Sequence, residues 1–188
     1  MPYLKWRHTG FGALQAYLHE GDETEMRVHI WHPDLKKLGM TDQGDIHDHR
    51  FKLRSYVLYG AMVQEEFSAT LNECGKWRCH AVTHAREAER TTGDFHNVKT
   101  GELYCDAVLA AQIRVEAGWV YDYPKRAFHR SLVDQLTVTL VEKTEQDEVP
   151  ARILSLRSAP VVHAFIDTFD KAEFMPFVAH AATALLGD

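Results

Sequence analysis

Twelve histidines in 188 residues are the first feature with chemical content, and two of them stand two apart in Gly44-Asp45-Ile46-His47-Asp48-His49. On a β-strand, residues i and i+2 point to the same face, so His47 and His49 can present their imidazoles to one point. Neutral imidazole nitrogens suit zinc, iron, nickel or copper, and two of them leave the remaining positions to other strands. H-x-H alone is weak, because a chain this rich in histidine shows it by accident and a solvent-facing pair explains it equally well.

The surroundings add to it. An apolar strand pattern, Arg54 to Gly60 (RSYVLYG), follows His49. Much later come Gly118, five residues, Pro124, four residues and His129. The glycine allows a tight turn, the proline closes a strand, and the histidine begins the next strand pointing inward.

Together the two segments resemble the paired motifs of the cupin family. Gly44, His47, His49 and Gly60 match the first motif, and Gly118, Pro124 and His129 match the second, over about Gly44 to Glu142. The resemblance implies an all-β fold with peripheral helices, a double-stranded β-helix barrel of jelly-roll type. It also implies one divalent metal held by His47, His49 and His129. Two departures stand out. Leu53 occupies the place of the usual metal-binding glutamate, and Lys125-Arg126 follow Pro124 where a glycine is usual. Losing the carboxylate leaves a three-histidine site, which resembles the thiol dioxygenase branch, of which cysteine dioxygenase is the best known. Ile46-His47-Asp48-His49 is the I-H-D-H of that branch, while the cysteine that forms a crosslink in some members would fall near Leu53 and is missing.

That branch implies Fe(II), with zinc, nickel or manganese as alternatives, and O₂ as co-substrate. Three neutral ligands leave the ion its full charge, which suits a small anionic substrate. A redox-inert isomerase or lyase on the same ligands, and a non-enzymatic module binding a small ligand, are the competing readings. The metal present and O₂ consumption separate them. Cupins commonly pair through outer strands, so the resemblance also implies a homodimer.

Around the motifs, Arg50, Arg54, Arg126 and Arg130 are candidate forks for a substrate carboxylate, or else surface charges paired with acidic residues. Tyr56, Tyr59, Tyr121 and Tyr123 offer a phenol beside the metal, or else core aromatics. Arg50, Tyr56 and Arg126 are taken as the catalytic candidates. Asp48 alternates away from the two histidines and is not read as a ligand. Glu66 is the nearest acidic alternative for a fourth ligand and would need a bulge to aim it inward. His80 and His84 are four apart but lack the glutamate of H-E-x-x-H. His96 sits in a polar segment, and nothing around His8, His19, His29, His32, His163 or His180 marks them.

The elements that must position these residues are mostly short strands. Arg27 to His32 reads as a strand stopped by Pro33, and Asp45 to Phe67 as strand, tight turn at Gly60-Ala61, and strand. Lys76 to His84 is a further strand, and the polar stretch with Gly93 and Gly101 reads as a surface excursion. Ala111, Ile113 and Val115 alternate with polar residues as in a half-buried strand, and Leu136, Val138 and Leu140 do the same. Phe11 to His19 has helical spacing, and Phe174, Phe177, Val178, Ala181 and Leu185 predict a closing amphipathic helix that starts near Pro176. One domain is expected, with a barrel core over about 27–142 and a helical extension over about 160–188.

Composition sets the outer limits. A net charge of −6, with 21 basic residues spread thinly, argues against a nucleic-acid surface. No segment reaches the ~20 apolar residues of a membrane span, and the first residues lack the apolar stretch of a secretory signal. Three cysteines without C-x-x-C spacing read as reduced thiols, so a cytoplasmic protein is expected.

Overall fold

The computed structural model describes residues 4–9, 11–21, 24–38, 46–84, 95–159, 164–169 and 172–187; Gly44, Asp45, Gly93 and His163 lie outside them. In chain order the elements are β1 (Arg7–Thr9), β2 (Ala13–Glu20), β3 (Glu25–Trp31), α1 (Pro33–Leu38), β4 (Ile46–His47), β5 (Lys52–Tyr59) and β6 (Ala61–Leu71). There follow β7 (Trp77–His84), β8 (Phe95–Glu116), β9 (Val120–Tyr123), β10 (Phe128–Leu132), β11 (Thr137–Thr144), β12 (Ala151–Leu156) and β13 (Ala164–Phe169). A 3-10 turn over Ala172–Phe174 leads into α2 (Met175–Leu186). The architecture is all-β with peripheral helices, as the resemblance implies. No helix among the described residues is long and apolar enough to cross a membrane.

Six strands run β6-β10-β4-β12-β7-β8, and a further β6–β8 pairing closes them into a barrel. From β8 the sheet continues through β13 into β1-β2-β3-β11-β5-β9. Alternation gives this second layer two distinct faces. Leu14 lies opposite Ile30, which lies opposite Val138, and all three are buried beneath Leu35 of α1 and Phe174 and Ala181 at α2. Burying such side chains contributes about 1.5–3 kcal/mol each, which fixes the helices on the outer face. The odd-numbered residues of the same strands face inward.

This two-sided burial explains the first departure from expectation. Phe11 to His19 forms no helix; it supplies β2, where Ala13, Leu14, Gln15 and Ala16 are all buried. Apolar residues on both faces of a covered strand imitate helical spacing. A short helix that the pattern did not show, α1, begins at Pro33, where the missing N–H costs nothing.

Gly60 is no hairpin turn either. Strand β5 pairs with β9 and β11, whereas β6 pairs with β8 and β10, so the chain passes at Gly60 from one layer to the other. Gly101 falls inside the 22-residue β8 and not on an excursion. Of the inward set predicted there, Val115 is buried against Val57 and Met62, but Ile113 is 51% exposed. The β6–β8 ribbon runs past the residues that cover it. The barrel also extends beyond 27–142: β12 pairs with β4 and β7, and β13 is a strand within the segment expected to be helical. The predicted closing helix is α2, with Pro176 in its first turn.

Gly60 and Gly118 both have positive φ, 76° and 89°, but differ in surroundings. A Cβ on Gly60 would lie 2.2 Å from the Leu136 carbonyl oxygen, and one on Gly118 would meet nothing within 4 Å. Gly118→Ala is therefore expected to cost only the left-handed backbone, about 1–2 kcal/mol. Gly60→Ala is expected to cost more, because the corner between the layers must also open. Urea unfolding midpoints of the two variants check this order.

Candidate metal centre

The chain brings His47 opposite His129 through one short pairing. Strand β4 is two residues long and wedged between β10 and β12, with His47 aligned to His129 on one side and Ile153 on the other. Past β4, the Asp48 N–H donates to the Arg152 carbonyl at 2.9 Å. The Asp48 carboxylate accepts from the Arg152 backbone N–H at 2.6 Å and from its Nε at 2.7 Å. The Arg126 N–H donates to the His49 carbonyl at 3.0 Å. The ligand segment is thus held from both flanks, and its alternation returns His49 to the face of His47.

One potential ligand atom from each of His47, His49 and His129 lies within 4.8 Å of the others. Ring centroids are separated by 4.8 Å, 4.7 Å and 4.9 Å around the triangle. Each ring has an aromatic backing: Phe11 on His47 at 4.1 Å, Phe51 on His49 at 4.6 Å and Tyr123 on His129 at 4.2 Å, all stacked. The His129 Nδ1–H donates to the Ala127 carbonyl at 3.1 Å, which leaves Nε2 with its lone pair for a metal. Burial, then the neighbouring His47, holds the His129 imidazole down to about 3. Burial and the other two imidazoles hold His49 well below the usual range as well. His49 and His129 are therefore neutral at ordinary pH, the state in which imidazoles bind metal. Three convergent imidazoles fit one divalent ion of the Zn, Fe or Ni type.

Leu53 lines the cavity with the three histidines, 7% exposed and packed on Tyr123 and Val141. No carboxylate replaces it among the described residues of the group. Glu66 is aligned with His129 in the β6–β10 pair but is exposed, lies outside the cavity lining and does not join the three-histidine group. Asp48 is buried and occupied by Arg152.

Of the three catalytic candidates, only Arg50 lines the cavity. Tyr56 alternates with the buried Leu53, Ser55 and Val57 and shares the outer face with Arg54, which pairs with Asp122 at 2.8 Å. Arg126 also lies outside the cavity lining. Its guanidinium donates to the Pro150 and Val149 carbonyls, each at 2.7 Å. Its φ of 69° explains why a glycine suits this position: the turn before His129 needs the left-handed conformation, and the guanidinium contacts offset the strain of reaching it with a side chain. Arg130 alternates with His129 and pairs with Glu65. Tyr121 and Tyr123 do line the cavity; burial pushes the Tyr121 phenol up to about 12 and Tyr123 higher still, so both keep their protons.

The three histidines open on a cavity of about 650 Å³ between the layers. Its opposite wall was not legible in the sequence: Arg7, Gln15, Arg27, His29 and Lys143 come from β1, β2, β3 and β11 and share no motif. Lys143 Nζ lies 3.0 Å from Glu25 Oε1 and 4.1 Å from the centre of the Phe51 ring, the ring stacked on His49.

No protein-family model and no curated protein matches the chain. Among solved structures, it is similar to an RmlC-like cupin from Shewanella frigidimarina, at 14% identity and TM-score 0.40 over 77% of this chain and 86% of that one. It is also similar to hydroquinone 1,2-dioxygenase from a Sphingomonas species, with 4-hydroxybenzoate bound, at 11% identity and TM-score 0.38 over 70% and 69%. Similarity at this level transfers no chemistry from either protein.

Burial, with Arg27 and Arg50 nearby, brings Lys143 down from 10.5 to about 7 despite its pairing with Glu25. Between these values the unfolded chain holds a proton that the folded chain has released, so stability rises with pH across that window. Below about 7 the cost of the buried charge is fully present. The stability of wild type relative to Lys143→Met is expected to increase from pH 7 toward pH 10, read from urea midpoints at each pH.

Proposed function

We propose that the chain is a cupin metalloenzyme in which His47, His49 and His129 hold one Fe(II), and that it oxidises a small anionic molecule with O₂. The observation that carries this reading is the convergent three-histidine group, without a carboxylate among its described residues, facing a cavity large enough for a small molecule. Bound Fe(II) would supply open coordination positions and an electron source for O₂. The chain's own residues supply the setting. Leu53 and Tyr123 pack together, with Tyr123 stacked on His129, and Arg50 brings positive charge to the cavity. The Tyr123 phenol, at 3.5 Å from Gln64 Oε1, holds a proton at Oη beside the metal ligands. A homodimer belongs to the same reading: Leu103, Val108, Leu109 and Ile113 are exposed along β8, and light scattering reads the mass.

Elemental analysis of protein purified without a metal-binding tag, joined to an O₂ electrode, tests the reading. Stoichiometric iron with O₂ uptake is expected. His47→Ala, His49→Ala and His129→Ala are each expected to lose the metal, and His180→Ala, on α2, to keep it. Wild-type metal content in His129→Ala would overturn the ligand set. Zinc or nickel without O₂ uptake would move the reaction to an isomerase or lyase, and a metal-free barrel to a small-ligand-binding module.

Leu53→Glu is expected to tighten metal binding roughly tenfold, within the usual range for a change close to the ligands. Lys143 lies directly opposite Leu53 and will compete for the new carboxylate. The gain should therefore be larger when Lys143→Met is added, as competition with a chromophoric chelator will show.

A further inference from the structure

The wall facing the histidines is built by register. Arg7 is aligned with Gln15, Gln15 with His29, and His29 with Thr139, one inward-facing row across β1, β2, β3 and β11. The next row is Tyr17, Arg27 and Val141, and the next ends in Glu25 and Lys143. Gln15 Oε1 accepts from Arg7 Nη2 at 3.1 Å and Arg27 Nη1 at 3.4 Å, so the amide is oriented with its NH₂ group away from both guanidiniums. That Nε2 is buried and has no acceptor among the described residues, in a side chain only 3% exposed. Both ring nitrogens of the adjacent His29 are likewise buried without a partner among the described residues. Of the two carboxylates in these rows, Glu25 is already engaged by Arg27 and Lys143, and Glu20 is exposed at the cavity's edge. Buried donors are almost always satisfied, and here they converge on a cavity flanked by two arginines.

We propose that this wall is a carboxylate subsite, in which a small molecule's carboxylate accepts from Gln15 Nε2 and a His29 ring N–H while Arg7 and Arg27 supply the positive field. The rest of the molecule then spans the cavity toward His47, His49 and His129. That direction rests on the proposed metal centre, but the carboxylate contact does not.

The test uses the full chain stripped of metal with a chelator and titrated with sodium propionate, following the Gln15 side-chain amide and His29 ring signals by NMR. Saturable shifts of both are expected. Gln15→Leu and His29→Leu should each weaken propionate binding about tenfold, with circular dichroism confirming the fold. Gln15→Glu places a fixed carboxylate between the arginines, so it should abolish binding and raise Tm. The double variant His47→Ala, His49→Ala should bind propionate within about twofold of wild type, because the subsite does not use the metal ligands. Absent or non-saturable shifts, unchanged affinity in both leucine variants, or loss of binding in the double histidine variant would overturn the subsite. A chain that binds propionate this way yet fails to hold metal would refute the metal centre alone.

Discussion

The site depends on one antiparallel pairing, His47 of the two-residue β4 against His129 of β10. Directly opposed residues in such a pair share a face, so the pairing brings together two histidines 82 residues apart in sequence, at positions 129 and 47. A strand this short cannot hold its own register. Its alignment comes from its flanks, where Asp48 is clamped to Arg152 on β12 and the His49 carbonyl is bonded by the Arg126 N–H. A one-residue slip would turn His47 outward and bring in Ile46, which now belongs to the apolar cluster with Phe128 and Leu154.

The second layer meets the opposite demand. Its even-numbered positions, Leu14, Ile30 and Val138, carry the helices, and its odd-numbered ones carry charge and hydrogen-bonding groups into a cavity. Burying arginines and a lysine between the layers is costly unless they are paired, and Glu25 and Gln15 do the pairing here. The apolar face stabilises the layer; the polar face is tolerated because that stability is available next to it. Fold and site are thus written on alternate residues of the same strands.

This interleaving explains what could be read in advance. His47, His49 and His129 were legible because their spacing is local: H-x-H within one segment, and a glycine, proline and histidine around one turn. Leu53 was legible as a cavity residue, since it is a fixed number of residues from Gly60 on one strand. Tyr56 was not, because parity decides its face and it stands between the buried Ser55 and Val57 of the Leu53 set. Arg126 sat beside the right histidine, but its guanidinium serves the backbone of residues 149 and 150. The helix read over β2 failed because a strand buried on both faces has no alternation to show. The row Arg7, Gln15 and His29 has no local signature whatever: only the register of three strands makes it a row.

The aromatic ring behind each imidazole has a consequence for how an ion would be selected. Phe11, Phe51 and Tyr123 hold the three donors in place through stacking contacts that form with the fold and need no metal. Gathering the ligands then costs little at the moment of binding, and the ion meets an aperture whose size is already set. Such a seat favours cations by how well their preferred bond lengths suit a stiff frame, and it resists the collapse or swelling that would welcome a misfit. It also ties occupancy to packing: loosening a ring on the far side of an imidazole would blunt discrimination between metals without touching any donor atom.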